Sequence, residues 1–282
     1  RIKQSKLNAS IPNSNSSLKN NKTDIEIAQS LFDDAKNEFK KDNIETALKL
    51  INESIKLDPN YANSYAVRGY IFLLGIKNYQ SALIDFNKCI QMEPSNSNSY
   101  YYRAICYENL GNIPEAIKDY TQTIQLDKEY IDAYFRRALN KSKLGDYRGA
   151  INDYDYLITH TDTKKISDFS TIFNNKAYSL VKLKDYKTAL IWVNKSLDIN
   201  KTKSYIWDTR GEIYYELGEY NKCIEDMTTA LNLSKNKSDN SFYYRGLAKI
   251  KLNNHTEGCL DLSKAGELGK NEAYDAITKM CK

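Results

Sequence analysis

SNSYYYRAICYENLGNIPEAIKDYTQTIQLDKEY, residues 97–130, decides how the rest of the chain is read. Its segment YYYRA at 100–104 returns as YAVRG at 65–69, YFRRA at 134–138, WDTRG at 207–211 and FYYRG at 242–246, with FNNKA at 173–177 as a weaker copy. The interval is roughly 34 residues, a period typical of arrays in which each unit buries one face on the next. Several units close on a turn such as LDPN at 57–60 or MEPS at 92–95.

This recurring Y-x-x-R-G/A pattern resembles the tetratricopeptide repeat family, and its Y-x-x-R-G form is similar to that of exported bacterial members. Numbered by the family's 34 positions, seven units fall at 28–61, 62–96, 97–130, 131–169, 170–203, 204–237 and 239–270. The resemblance implies an all-α, right-handed superhelical solenoid of helical hairpins. The physics of packing supports the alignment independently, because antiparallel helices approach closely only over small side chains. Position 8 reads Ala35, Gly69, Ala104, Ala138, Ala177, Gly211 and Gly246; position 20 reads Ala47, Ala82, Ala116, Ala150, Ala189, Cys223 and Gly258. Large residues are expected to fill the complementary core slots: Tyr65, Tyr100, Tyr134, Phe173, Trp207 and Phe242 at position 4, and Ile51, Phe86, Tyr120, Tyr154, Val193, Met227 and Leu262 at position 24.

Positions 7 and 23 carry an Arg and an Asp in five units: Arg68 with Asp85, Arg103 with Asp119, Arg137 with Asp153, Arg210 with Asp226 and Arg245 with Asp261. The fifth unit loses both together, having Lys176 and Trp192. A structural ion pair across each hairpin is the expectation, costly to halve where buried and worth little where exposed.

Two irregularities interrupt the period. The second unit has one extra residue in LLGIKNYQSA, and the fourth has about five extra in THTDTKKISDF. The latter separates units 1–4 from 5–7 and marks either a soft junction or a plain surface loop. Residues 1–23 are rich in Ser, Asn and Lys with little to bury, the composition of a disordered linker. The sequence opens with Arg1, so a signal peptide or anchor upstream is expected. At the other end, residues 271–282 read as a capping helix behind an N-cap at Asn271, with Tyr274, Ile277 and Cys281 on one stripe. GCLDLSKAGELG at 258–269 followed by this helix resembles the ends of exported bacterial repeat proteins, which favours an extracytoplasmic location in the periplasm or envelope. In an oxidising compartment Cys259 and Cys281 are candidates for a bridge, whereas Cys89, Cys106 and Cys223 sit on small core positions.

The net charge of +5 comes from Arg1, Lys3, Lys6, Lys19 and Lys22, leaving 36 basic against 36 acidic residues over 24–282. A neutral repeat region lacks the basic surface that nucleic-acid backbones require. No run of eighteen apolar residues is present to span a membrane. His160, placed in the insertion, and His255 read as surface residues, and with the scattered cysteines they make no metal motif. Phosphate-loop and nucleophile-elbow motifs are missing from the sequence, so neither a catalytic residue nor a cofactor is expected.

The remaining signal lies at positions 2, 5, 9 and 12, which in this family project from each first helix into the concave face. They hold Tyr70, Tyr101, Phe135, Tyr178, Tyr205, Tyr215 and Tyr243, beside polar Asn63, Asn98, Asp132, Asn174, Asp208 and Glu212. Tyrosine joins a broad apolar ring to a hydroxyl with few rotors, which suits an anchor for a bound segment. The expected role is a non-catalytic protein-interaction scaffold or adaptor that binds a peptide or protein segment in this groove. The alternative is a structural subunit of a bacterial envelope assembly that meets partners by its convex face and tail. Family members that clamp two carboxylates use Lys at position 5, which this chain never has, so a hydrophobic or mixed polar ligand is expected.

Overall fold

A reciprocal cap starts the first helix: Glu26 N donates to the Thr23 hydroxyl at 3.3 Å, and Thr23 N donates to the Glu26 carboxylate at 2.7 Å. The computed structural model describes residues 23–160 and 168–281. The linker over 1–22, the inserted stretch 161–167 and Lys282 lie outside the described residues. All regular structure among the described residues is helical, and the chain divides into two compact units, Arg1–Asn78 and Tyr79–Lys282.

In the first unit α1 (Asp24–Lys40) and α2 (Ile44–Leu57) pair over the fully buried Ala35, Ala47 and Ile51. The cap at Thr23 makes α1 begin ahead of residue 28. α3 (Ala62–Tyr70) runs directly into a π-helical turn, Ile71–Ile76. One wide turn of this kind absorbs an added residue without breaking the helix, which places the surplus of LLGIKNYQSA. It closes through Lys77 at φ 59° and an Asn78 N–H that donates to Phe72 O at 2.8 Å.

The second unit opens with α4 (Tyr79–Met92) and continues as five hairpins. These are α5 (Ser97–Asn109) with α6 (Ile113–Leu126), α7 (Ile131–Lys143) with α8 (Tyr147–His160), α9 (Phe169–Lys182) with α10 (Tyr186–Ile199), α11 (Ser204–Glu216) with α12 (Tyr220–Leu233), and α13 (Asp239–Lys251) with α14 (His255–Glu267). α15 (Glu272–Met280) closes the unit. α6 shows why these segments are helices that pack. Its buried residues Ala116, Asp119, Tyr120, Thr123 and Ile124 recur at helical spacing, while lysine and glutamine face outward. Gly111, at φ 79°, supplies the left-handed residue that ends α5. The two units divide at Asn78/Tyr79 and not at the 161–167 insertion; α8 and α9 belong to one unit, and Ile151 of α8 packs against the cluster of Ala177, Val193 and Ile206.

Every small residue at positions 8 and 20 is buried, and every position-24 side chain is fully buried. In the last hairpin both small residues are glycines, and a Cβ on Gly258 would stand 2.7 Å from Gly246 O, backbone against backbone. Position 4 departs from the expected core role. Tyr134 and Phe242 are buried, but Tyr65, Tyr100, Phe173 and Trp207 are only half-buried. Five of these rings lie flat beside the position-7 cations: Arg68 on Tyr65, Arg103 on Tyr100, Arg137 on Tyr134, Arg210 on Trp207 and Arg245 on Phe242, at 4.9–5.6 Å.

Four of the position-7 arginines reach their hairpin's aspartate with two parallel bonds. Arg103 donates to Asp119 at 2.7 and 2.8 Å, Arg137 to Asp153 at 2.9 and 2.6 Å, Arg210 to Asp226 at 2.7 and 2.8 Å, and Arg245 to Asp261 at 2.8 Å twice. Lys141 and Lys249 add second cations at Asp153 and Asp261, each at 2.9 Å. Arg68 and Asp85 belong to different compact units. A third arm of each guanidinium points backward: Arg103 Nη1 donates to Asn87, Arg137 Nη1 to Thr121, Arg210 Nη1 to Asn194 and Arg245 Nη1 to Thr228, at 2.7–3.3 Å. In the first unit Arg68 Nη1 donates to Asn52 at 2.9 Å. All five acceptors stand at position 25 of the preceding repeat. The fifth repeat follows the same logic with different residues: Lys176 pairs with Asp155 of the preceding repeat and sits 3.6 Å from the Trp192 ring centroid.

The C-terminal helix also differs in detail. Asn271 is itself helical, at φ −60° and ψ −36°, and its side chain makes no cap. Ala273 and Ala276 are buried, Ile277 and Met280 pack beside them, and Tyr274 is exposed. The exposed Tyr274 still lays its ring over α14, where a Cβ on Gly266 would stand 2.8 Å from it. Cys259 on α14 and Cys281 just past α15 form a disulfide with Cα atoms 5.8 Å apart. Cys89, Cys106 and Cys223 are buried thiols that form no disulfide, and burial raises each one's pKa to about 12.

Candidate binding wall on the first helices

The first helices of the second unit, α5, α7, α9, α11 and α13, stand side by side as α7 meets α9, α9 meets α11 and α11 meets α13. Side chains from their shared face form a wall, and the aromatic residues expected there are not equivalent. Tyr178 and Tyr205 are 40% and 41% exposed. Lys182 Nζ lies 4.8 Å from the Tyr178 ring centroid, and the Tyr205 hydroxyl hydrogen-bonds Thr171 at 3.0 Å. Phe135, Tyr215 and Tyr243 are half-buried: Phe135 tilts on Tyr154 at 6.5 Å, Tyr215 meets Tyr220 and Tyr244, and Tyr243 carries Lys270 over its face. Tyr70 is half-buried at the end of α3, in the first unit.

Tyr101 is inside the packing and corrects the expectation that it lines an open groove. It is 7% exposed, with Tyr130 at 4.7 Å, Tyr102 at 5.0 Å and Tyr120 at 5.8 Å, and Arg136 Nε donates to its hydroxyl at 3.1 Å. The cover comes from Tyr120 and Tyr130 further along the same repeat and from Arg136 in the next, so nothing in the sequence immediately around Tyr101 announces it.

Charge on the wall is arranged in two clusters. At Glu108, burial works to raise the carboxyl's pKa, but Tyr120, Asn140, Arg136 and Lys143 outweigh it and hold it below its ordinary value. The Tyr120 hydroxyl donates to Glu108 at 2.8 Å, and Arg136 and Lys143 each approach it at 3.4 Å. At Asp208, burial dominates and pushes the carboxyl up to about 6, against hydrogen bonds from Ser241 at 2.6 Å and Asn240 at 3.2 Å; Glu212 and Asp239 add to the rise. Glu212 pairs with Lys182 at 3.1 Å.

A pocket of about 250 Å³ opens between α7 and α9, lined by Leu139, Ser142, Lys143, Tyr154, Asn175 and Tyr178. Tyr154 belongs to this lining although its side chain is fully buried, as its core position leads one to expect. His160 ends α8, exposed, stacked on Tyr156 at 4.5 Å. Among the described residues, no cluster of His, Cys, Asp and Glu is arranged to hold a metal, and no helix is long and apolar enough to cross a membrane.

Models of the tetratricopeptide repeat match residues 62–96, 97–130, 170–203 and 204–237. These four stretches are tetratricopeptide repeats. No curated protein matches the sequence. Among solved structures the chain is similar to the C-terminal part of a TPR repeat-containing protein from Cytophaga hutchinsonii, at 16% identity and a TM-score of 0.66, over 87% of this chain and 99% of that one. It is similar to a tetratricopeptide repeat protein from Parabacteroides merdae, at 19% identity and a TM-score of 0.62, over 90% and 96% of the two chains. YrrB, described as a TPR protein with an unusual peptide-binding site, matches at 17% identity and a TM-score of 0.52, over 68% of this chain and 97% of that one. The fold class is thus an all-α tetratricopeptide solenoid, a fold that generally serves protein–protein interaction.

Proposed function

We propose that this chain is a non-catalytic scaffold or adaptor that holds a segment of another protein against the first-helix wall of its second unit. The observation that carries this reading is the pair of tyrosines, Tyr178 and Tyr205, exposed on successive first helices where the neighbouring aromatic residues are covered. Half-buried Phe135, Tyr215 and Tyr243 extend the apolar surface on either side, and Asp208 adds a polar contact. Tyrosine rings have few rotors and keep part of their surface exposed here, so they bind a partner at low entropic cost. The peptide-binding site ascribed to YrrB is in keeping with such a role on this fold.

The test is co-purification of partners with the wild type and with a Tyr178→Ala, Tyr205→Ala double variant. Partners captured by the wild type and lost by the variant, with unchanged helical circular dichroism, support the wall; equal capture removes it.

The second reading, a structural part of a bacterial envelope assembly contacting partners by its convex face and tail, draws support from the Cys259–Cys281 disulfide. Disulfides persist in oxidising compartments, as expected for exported proteins with Y-x-x-R-G repeats. Cross-links confined to the second helices would favour it.

A further inference from the structure

Asp208 is a half-buried carboxylate on the wall, one helical turn beyond the exposed Tyr205 on α11. Its hydrogen bonds come from two neutral groups of α13, the Ser241 hydroxyl at 2.6 Å and the Asn240 amide at 3.2 Å. Among the described residues no Lys or Arg is paired with it. A carboxylate drawn out of water without a cation is costly, and two neutral donors offset only part of that cost.

The groups around it deepen the imbalance. Glu212, on the next turn of α11, is buried and takes Lys182 of α9 at 3.1 Å. Asp239 at the start of α13 adds a third negative charge, and the Cys223 thiol of α12 also feels Asp208. Lys270 reaches Asp208 only through Asn240, whose carbonyl it bonds at 3.2 Å, and Lys203, beside Tyr205, is held by Asp168. Three carboxylates thus stand against Lys182 and, one residue removed, Lys270. Further along the wall the sign is the same: after burial, Glu272, Asp275 and Glu216 raise the Tyr243 hydroxyl's pKa. Among the described residues no group of carboxylates is arranged to hold a metal ion, which leaves a side-chain cation to supply the missing charge.

We infer that the segment held on the wall carries a basic side chain, Lys or Arg, whose cation pairs with the Asp208 carboxylate at the junction of α11 and α13. This inference rests on the wall being the binding surface and adds the chemistry of one anchor. The apolar stem of such a residue lies against the exposed Tyr205 ring, while its charge meets a carboxylate that Ser241 and Asn240 already hold in place. An apolar side chain would leave Asp208 without a cation, and an acidic one would face Asp208, Glu212 and Asp239 together.

The pairing carries a pH signature. Burial pushes the Asp208 carboxyl up to about 6, so a cation that needs the ionised form is bound fully above about pH 7 and is lost as the pH falls through about 6. Between about pH 7 and about pH 5 the ionised fraction drops about ten-fold, and the affinity with it.

Peptides selected from a random-peptide phage library on the full chain provide the probe. Each histidine-free binder is synthesised as selected and with Gln in place of its basic residue, and binding is read by fluorescence anisotropy across that pH range. The expected result is a shared Lys or Arg, with the basic peptide about ten-fold weaker at the acid end and its Gln version showing no such slope. Asp208→Asn should weaken the basic peptide about ten-fold at neutral pH, flatten its pH profile and leave the Gln version unchanged, whereas Tyr205→Ala should weaken both. Peptides that depend on Tyr205 but show no basic preference, or a basic preference that neither pH nor Asp208→Asn alters, overturn this anchor and leave the wall standing. Peptides indifferent to Tyr205, or no binders at all, overturn both. The wild-type pH profile needs no variant, so the test holds should Asp208→Asn disturb folding.

Discussion

Tyr101 and Tyr178 both lie on first helices, yet one is packing and the other surface. The difference was invisible in the sequence because the cover over Tyr101 is Tyr130 and Arg136, about one repeat further along. Tyr101→Ala should therefore lower stability by about 2–4 kcal/mol in urea titration, while Tyr205→Ala should stay within about 0.5 kcal/mol of the wild type. Asp208 offers a pH test at the same scale. Its folded carboxyl titrates near 6, above the ordinary value near 4, so the folded state holds a proton that the unfolded chain releases over that interval. Its contribution is fully present below about pH 4 and is lost as pH rises through about 6. Asp208→Asn should be more stable than the wild type at pH 7 by about 1–2 kcal/mol, with the advantage vanishing at pH 4, as read by thermal melts across that range.

At the scale of the hairpin, the small residues at positions 8 and 20 were legible because close helix approach restricts them to Ala, Gly and Cys. The position-25 acceptors were not, because Asn87, Thr121, Asn194 and Thr228 differ in type and share only an oxygen at the right place. Their role explains the fifth repeat, where loss of the position-23 aspartate coincides with Asp155 at position 25 of the repeat before. The Arg103–Asp119 pair gives the cleanest double-mutant cycle, because Asp153 and Asp261 each keep a lysine when their arginine is removed. Arg103→Ala should cost about 3 kcal/mol by stranding a nearly buried carboxylate. Adding Asp119→Ala should cost less than the two single effects combined, by about 1–3 kcal/mol in chemical denaturation. Arg137→Ala, with Lys141 still in place, should cost less than Arg103→Ala. The wall was only partly legible: residue type picked out Tyr178 and Tyr205, but which neighbouring aromatic residues are covered depends on packing against other helices.

Over the whole molecule, period and capping helix were readable in the sequence, while the Asn78/Tyr79 division was not, because the π-helical turn beside it differs from a regular repeat by a single residue. The disulfide ties α15 to α14 across a sequence separation of 22 residues, which the loop-entropy account values at about 3 kcal/mol. Reduction should lower Tm and open the α15 amides to hydrogen exchange first, with the α5–α12 amides unchanged. The backward reach of the arginines makes erosion of the stack unequal at its two ends. Removing a hairpin from either end breaks one such bond, but from the N-terminal side the stack is left with a charged arginine arm without its acceptor, whereas from the C-terminal side it is left only with a neutral side-chain oxygen. Fraying is thus easier from the C-terminus, and that is the end the Cys259–Cys281 clasp holds shut.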